Sequence, residues 1–407
     1  MPAPMIVAPA IVAPVIVWFR NDLRLADHAA LQAALASGHP VLPTYILDTD
    51  PAPWPRGAAT RWWLHHSLAA LDASLRVRDA GLVLRRGPTA REIARLAAET
   101  GATAVFTAAG VEPAARQCDH LTAEALQQAG VTLHRVRTAL LFPPEAIRTG
   151  SGGPYGVYTP FAHACLALGP PLPPAPAPDR IPCPALPPSD RLDDWGLLPH
   201  NPDWAGGLRA TWIPGEAGAA ARLAAFRVTG LARYPIDRDR PDLAGTSMLS
   251  PHLHFGEISP TQVWQAATPG HTGFIRQLLW REFCQHLLSH HPQMADHPLR
   301  PEFEAMPWRD DPAGLRAWQR GRTGVPIVDA GMRQLWQTGW MHNRVRMIAA
   351  SFLVKHLLLP WQAGARWFWD TLVDADLGNN AGNWQWVAGS GADAAPYFRV
   401  FNPVLQG

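Results

Sequence analysis

Over the first 145 residues, apolar positions fall in short unbroken runs separated by stretches of helical period. The runs VIVW at 15–18, VLPTYIL at 41–47, LVLRR at 82–86, AVFTA at 104–108 and VTLHRV at 131–136 have the length and composition of strands buried on both faces. Between the second and third runs, Leu64, Leu68, Leu71 and Leu75 form one apolar stripe of a helix. Another helix is predicted from a capping box, Thr89 with Glu92, to a stop at Gly101. Strand and helix in alternation predict a parallel sheet with helices on both faces.

The pattern then changes twice. LGPPLPPAPAPDRIPCPALPPSD at 168–190 carries proline at a density that neither helix nor central strand accepts, so an extended connector is expected. From about 216 the apolar period is helical. Leu223 and Phe226 open it, and Ile275, Leu278, Leu279, Phe283 and Leu287 continue it. A long helical stretch then runs from Val325 to Leu359. The predicted organisation is an α/β domain over 14–145, a connector over 146–215 and an all-helical domain over 216–407, with no internal repeat.

Composition narrows the class. A chain of 407 residues that is 47% hydrophobic can fill the cores of two or three domains. A net charge of +2 neither demands nor excludes a nucleic-acid partner. Lys355 is the only lysine, so cationic contacts fall to arginine, whose fork suits phosphate and carboxylate. Cys118, Cys165, Cys183 and Cys284 stand far apart, which argues against a disulfide scaffold or zinc ribbon and fits a reducing cytoplasm. The opening MPAPMIVAPAIVAPVIV lacks a basic leader and is broken by prolines; it reads as an extension before the first strand and not as a signal peptide. No apolar run approaches membrane-spanning length. No G-x-G-x-x-G follows the first strand and no Walker loop occurs, so a bound nucleotide would use other cradles. Eleven of the 18 tryptophans lie beyond position 260, enough to suggest stacking on planar rings or electron transfer besides core filling.

Several small constellations carry candidate chemistry. GTSMLSPHLHFGEIS at 245–259 clusters Thr246, Ser247 and Ser250, which suit either a helix cap or a phosphate. His286 and His290 are one helical turn apart but lack a carboxylate ligand, so they are read as a charged helix end before Pro292 and no metal is expected. Asp374 and Asp376 in LVDADLGNN would diverge on a helix, which suits separate uses: one carboxylate pairing an arginine, the other accepting from a ligand N–H. Trp384 and Trp386 would likewise diverge, one facing a buried cofactor and the other a neighbouring cavity.

These segments resemble a known family. WFRNDLRLADHAAL at 18–31 is similar to the opening of photolyases and cryptochromes. LLWREFCQHLL at 278–288, the stretch GRTGVPIVDAGMRQLWQTGWMHNRVRMIAASFLVKHLLLPW at 321–361 and DADLGNNAGNWQWVAGSGADAAPYFRVFNP at 374–403 resemble its flavin domain. The resemblance covers nearly the whole chain and implies an antenna domain followed by a helical domain that holds FAD. It implies that Tyr234, Thr246, Ser247 and Ser250 hold the phosphates and sugar of FAD. Arg346 and Asp374 would form an ion pair beside the flavin ring, with Asp376 at its polar edge and Asn380 at its reactive nitrogen. Trp384, Trp361 and Trp308 match the family's electron-transfer chain. Gln277, Trp280, Asn343, Met347 and Trp386 match the pocket for a flipped-out pyrimidine dimer in DNA, and Arg281, Arg344 and Arg399 are candidates for phosphate contacts.

The branch resembled is class I, whose members split cyclobutane dimers with light; Asn343 and Met347 stand where 6-4 enzymes carry two histidines, with His342 adjacent. Gln277 departs from that branch, which usually has Glu there, and matches the 6-4 branch, which usually has Gln, so a 6-4 photolyase stays an alternative. Among antenna-folate positions Glu112 fits, whereas Ala295 and Asp296 stand where Cys and Lys are expected, so a folate, deazaflavin or flavin antenna stays open. The end at Gly407, inside the family's FNP–QG stretch, implies that the usual final helices are missing. The expected protein is a cytoplasmic monomer acting on DNA. Two other readings remain: a cryptochrome-type photoreceptor with the same flavin but no repair, and a nucleotide-binding protein without photochemistry.

Overall fold

The computed structural model describes residues 12–404 apart from 137–138, 268–269 and 395; most of the proline-broken opening and the final residues to Gly407 lie outside the described residues. Five strands form one parallel sheet in the order β3-β2-β1-β4-β5: β1 (Val15–Phe19), β2 (Val41–Asp48), β3 (Val83–Gly87), β4 (Ala104–Ala108) and β5 (Thr132–Val136). Each falls within a residue or two of its predicted run. The alternation along β1 explains why both faces are apolar. Val15, Val17 and Phe19 pack with α1 (Ala29–Ala36) and the leucine stripe of α2 (Ala58–Arg76). Ile16 and Trp18 point the other way, against α3 (Thr89–Thr100) and α4 (Pro113–Gln128).

Gly101 ends α3 in the left-handed conformation, as read from sequence, but the predicted capping box does not form. Pro88 is the N-cap, and the amide of Thr89 donates to Asp48 Oδ1 of β2 at 3.3 Å. A cap from a neighbouring strand leaves no mark at capping-box spacing.

The stretch read as connector carries elements of its own, α5 (Tyr158–Ala167) and α6 (Gly206–Thr211). Then come α7 (Glu216–Thr229), α8 (Tyr234–Asp237), α9 (Ser250–His254), α10 (Pro260–Ala267), α11 (Thr272–His290) and α12 (Pro312–Gln319). The stretch of helical spacing over 325–359 is divided into α13 (Pro326–Thr338), ended by left-handed Gly339, and α14 (Asn343–Ser351), which runs into a π-helical turn at Phe352–His356. The chain continues through α15 (Trp361–Thr371) and α16 (Leu377–Ala388).

A seam of buried polar contacts joins the α/β and helical parts, and the 18–28 motif makes much of it. Leu23 N donates to Phe255 O at 3.0 Å, Arg24 Nη1 to Gly256 O at 3.0 Å, and the amides of Leu25 and Ala26 to the Glu216 carboxylate. Gly256 has φ +66°, and a Cβ there would meet the Asn21 carbonyl at 2.2 Å, so the close approach requires glycine. Trp63 of α2 donates to Glu257 Oε1 at 2.9 Å.

Candidate functional site

Two cavities open at and beyond this seam. The larger, about 830 Å³, lies between the sheet's carboxyl edge and the helical part; Arg20, Asn21, Trp54, Arg56, Glu112 and His254 are among its walls. The smaller, about 370 Å³, is enclosed by α11, α14, α15 and α16. Arg281, Ala375 and Asp376 line both, so the cavities share a wall.

The smaller cavity gathers most of the predicted residues. Arg346 meets Asp374 in a bidentate pair, Nη2 to Oδ2 at 2.8 Å and Nη1 to Oδ1 at 3.1 Å, while its Nε donates to Met341 O at 2.7 Å. Ser250 Oγ donates to the same Asp374 at 2.6 Å, which fixes the hydroxyl-rich loop beside the ion pair. Asp376 is not within a helix; it is the N-cap of α16, accepting from the amide of Asn379 at 2.8 Å. Gln285, missed in the sequence, donates to both oxygens of Asp376 at 2.8 and 2.9 Å. Burial would raise Asp376, but His254, Arg281 and the Asn379 amide together hold it down to about 2. Glu112 in the larger cavity moves the other way: burial pushes it up, and the charge of Asp376 adds to that.

Asn380 Nδ2 donates to Ala365 O at 3.1 Å. A carbonyl only accepts, so the Asn380 oxygen is the atom left for a ligand donor. Phe368, Leu372 and Trp384 supply apolar wall. Trp384 is buried against Phe368 and Trp318, with ring centroids at 5.0 and 6.1 Å, and Trp361 lies in the same core. Trp308 is half-buried at its edge.

Gln277, Trp280, Asn343, Met347 and Trp386 all line this cavity, as sequence reasoning grouped them, and Arg238 joins them unforeseen. Asn343 and Met347 are one turn apart on α14. His342 does not line the cavity: it is the buried N-cap of α14, accepting from the amide of Arg344, and burial lowers its pKa. Three arginines read as phosphate contacts have different fates. Arg281 is turned inward, donating to Ala139 O at 2.9 Å and Glu282 Oε1 at 2.8 Å, which corrects its placing at the DNA surface. Arg344 pairs with Asp239 at 2.8 Å, and Arg399 is exposed. Glu282 also accepts from the amides of Leu141 and Phe142, and burial raises its pKa to about 7.

Tyr234, Thr246 and Ser247 line neither cavity. Tyr234 is buried edge-on against Phe226 and Phe274, while Thr246 and Ser247 are half-buried. His286 is not a charged helix end. It is buried, accepts from Tyr155 N at 3.0 Å, and burial pushes its pKa down to about 4. No group of three metal-ligating side chains occurs among the described residues. Ala295 is buried core, and Asp296 is taken up by Arg366 at 3.0 Å and Trp54 at 3.3 Å. Lys355 ties down the final segment: its ammonium donates to Ala388 O at 3.2 Å and Tyr397 O at 2.6 Å, and burial lowers its pKa to about 8. No helix among the described residues is long and apolar enough to cross a membrane.

Comparison with known proteins places the whole chain in one family. The family described as "DNA photolyase" matches residues 15–179, and "FAD binding domain of DNA photolyase" matches residues 274–407. The deoxyribodipyrimidine photo-lyase of Agrobacterium fabrum is 50% identical over 97% of this chain and 84% of its own length. The crystal structure of a class III photolyase from Agrobacterium tumefaciens superposes with a TM-score of 0.95 at 49% identity, covering 99% of this chain and 85% of that one. Its class replaces the class I branch expected from the sequence. A Sulfolobus tokodaii photolyase solved with two FAD molecules superposes at TM-score 0.84 and 29% identity, covering 97% of this chain and 86% of that one.

Proposed function

This chain belongs to the DNA photolyase family, and we propose that it uses light to split cyclobutane pyrimidine dimers in DNA. One observation carries the reading: a single cavity joins a cofactor-type wall to a substrate-type wall. The Arg346–Asp374 pair, ionised Asp376 and Asn380 line it together with Trp280, Asn343, Met347 and Trp386.

The residues fit FAD. The cavity is apolar at Phe368, Leu372 and Trp384 and carries carboxylate and amide acceptors with the Arg346 guanidinium, which suits a flat ring bearing N–H and carbonyl groups. Reduced FAD in this family supplies, on excitation, the single electron that opens the dimer's ring and is then returned. The protein's part is to position and to exclude. Arg346, paired with Asp374, would present a fixed positive charge to the ring, and Asp376 would accept from its N–H edge. The Asn380 oxygen would accept at the reactive nitrogen. Thr246, Ser247, Ser250 and Tyr234 would hold the phosphates and sugar, with Ser250 tied to Asp374. Trp384, Trp361 and Trp308 would carry electrons inward from the surface.

A dimer inside a stacked duplex is out of reach, so the lesion must be flipped out, and its weakened pairing lowers that cost. Trp280 and Trp386 offer aromatic surface to its two rings, and Gln277 offers an amide to a pyrimidine carbonyl. Arg344 and Arg399 serve the flanking phosphates. Specificity for the 6-4 lesion is disfavoured because His342 is buried and committed as a cap.

The larger cavity suits an antenna chromophore of the folate, deazaflavin or flavin class with an anionic end, since Arg20, Arg56, Arg61 and Arg86 line it. The deciding experiment is repair of a thymine-dimer oligonucleotide by the FAD-loaded, reduced protein in light and in darkness. Repair in light alone is expected; FAD-loaded protein that repairs in neither overturns the reading.

A further inference from the structure

Trp280 does not stand alone in the cavity wall. Tyr158 of α5, from the segment that reads in sequence as connector, lies flat on it, with ring centroids 3.8 Å apart and planes 3° from parallel. Phe283 braces both rings edge-on, at 5.7 Å from Trp280 and 6.0 Å from Tyr158. Tyr158 is itself pinned at two points. Its hydroxyl donates to Arg276 O at 2.9 Å, one turn ahead of Trp280 on α11. Its amide donates to Asp393 Oδ2 at 3.1 Å, in the turn after α16. Tyr158 therefore links the helix that carries Gln277 and Trp280 to the turn beyond the helix that carries Trp386. An indole with one face covered and its neighbours anchored has few orientations left, so the surface it offers to a ligand is set before the ligand arrives.

We propose that Tyr158 is a positioning residue for dimer recognition: it fixes the indole of Trp280 from behind and so sets the aromatic wall that receives the flipped lesion. This rests on the reading of the smaller cavity as the dimer pocket. Tyr158 does not line the smaller cavity and reaches it through Trp280, so its effect is expected in lesion binding and not in photoreduction.

The test compares wild type, Y158F, Y158L, W280A and the Y158L/W280A double variant, all FAD-loaded. Each is assayed for affinity to thymine-dimer and undamaged oligonucleotides, for photoreduction rate and for flavin content. An aromatic pair of this kind corresponds to about two- to tenfold in an equilibrium constant. Y158L should lose about that factor in dimer affinity while keeping its affinity for undamaged DNA, its flavin and its photoreduction. Y158F should recover most of the loss, because the stack survives without the hydroxyl. In the cycle, Y158L should cost little once Trp280 is gone. Wild-type dimer affinity in Y158L overturns the proposal, as does a Y158L loss that is undiminished in the W280A background. Equal loss on damaged and undamaged DNA, or loss of flavin and photoreduction together, also overturns it, because the role would then be structural. If wild type itself fails to prefer dimer DNA, the reading of the cavity falls and the proposal with it.

Discussion

Gly364 sits on α15 where that helix meets α16, and it has no room for a side chain. A Cβ there would lie 2.1 Å from Cη2 and 2.7 Å from Cζ2 of Trp384, and 2.6 Å from Cδ2 of Leu353. Relaxed carbon contacts are about 3.5–4.0 Å. The G364A variant must therefore push the indole edge of Trp384 back by about 1.4 Å or part the two helices. Trp384 has little space to yield, because Phe368 and Trp318 already pack against it at 5.0 and 6.1 Å. Overpacking of this kind costs about 1–3 kcal/mol. The assay is a urea denaturation series with G206A as control, since a methyl at Gly206 meets only the end of Arg209, at 4.0 Å. G364A should lower the unfolding free energy by about 1–3 kcal/mol, whereas G206A should leave it within about 1 kcal/mol. Because the displaced ring belongs to the proposed electron route, G364A should also slow photoreduction of bound FAD. Wild-type stability together with wild-type photoreduction in G364A would refute the packing argument.

Removing the innermost donor as W384F should keep FAD bound but abolish most photoreduction with external reductant, while chemically reduced protein still repairs; unchanged photoreduction means that another route dominates. Q277E should raise dimer affinity or repair yield modestly, since a hydrogen bond involving a charged group contributes about 1.5–3 kcal/mol against about 1 kcal/mol for a neutral one; repair assays on both lesions check this, and 6-4 repair without cyclobutane repair would overturn the assigned substrate. Glu282 is raised from 4.5 to about 7 chiefly by burial, so the stability linked to it is complete below pH 4.5 and lost as pH rises through about 7. Urea midpoints at pH 5 and pH 8 should show that loss in wild type and a smaller one in E282Q; equal slopes would count against a buried, raised carboxyl.

The sheet was legible because each strand is a short apolar-rich run bounded by helix; burial on both faces holds for the inner strands but not for β5, an edge strand whose residues are exposed or half-buried. The Arg346–Asp374 pair and the grouping of Gln277, Trp280, Asn343, Met347 and Trp386 were legible through long motifs and not through spacing. What stayed hidden depends on distant partners. Tyr158 meets Trp280 across 122 positions, so no local period reports the stack. Asp48 caps α3 from another strand, and Gln285 reaches Asp376 from another helix. Arg281 looked like a phosphate ligand because arginine in a DNA-binding motif usually is one; Ala139 and Glu282 turn it inward. Proline at 168–190 correctly excluded a central strand but concealed the short helices on either side of that run.

Lys355 has a consequence of another kind. Only one side chain in this protein ends in a primary amine, and that amine is held by two carbonyl groups, one at the end of α16 and one in the segment that follows it. An acylating reagent needs the amine unprotonated and detached from both. Burial lowers the pKa to about 8 only while the amine is held, and release returns it to about 10.4, so labelling compared at one fixed pH reads the frequency of release. Among the side chains the molecule thus carries one chemical reporter, whose acylation, told from that of the α-amine by peptide mapping, follows how often the stretch around Tyr397 parts from Lys355.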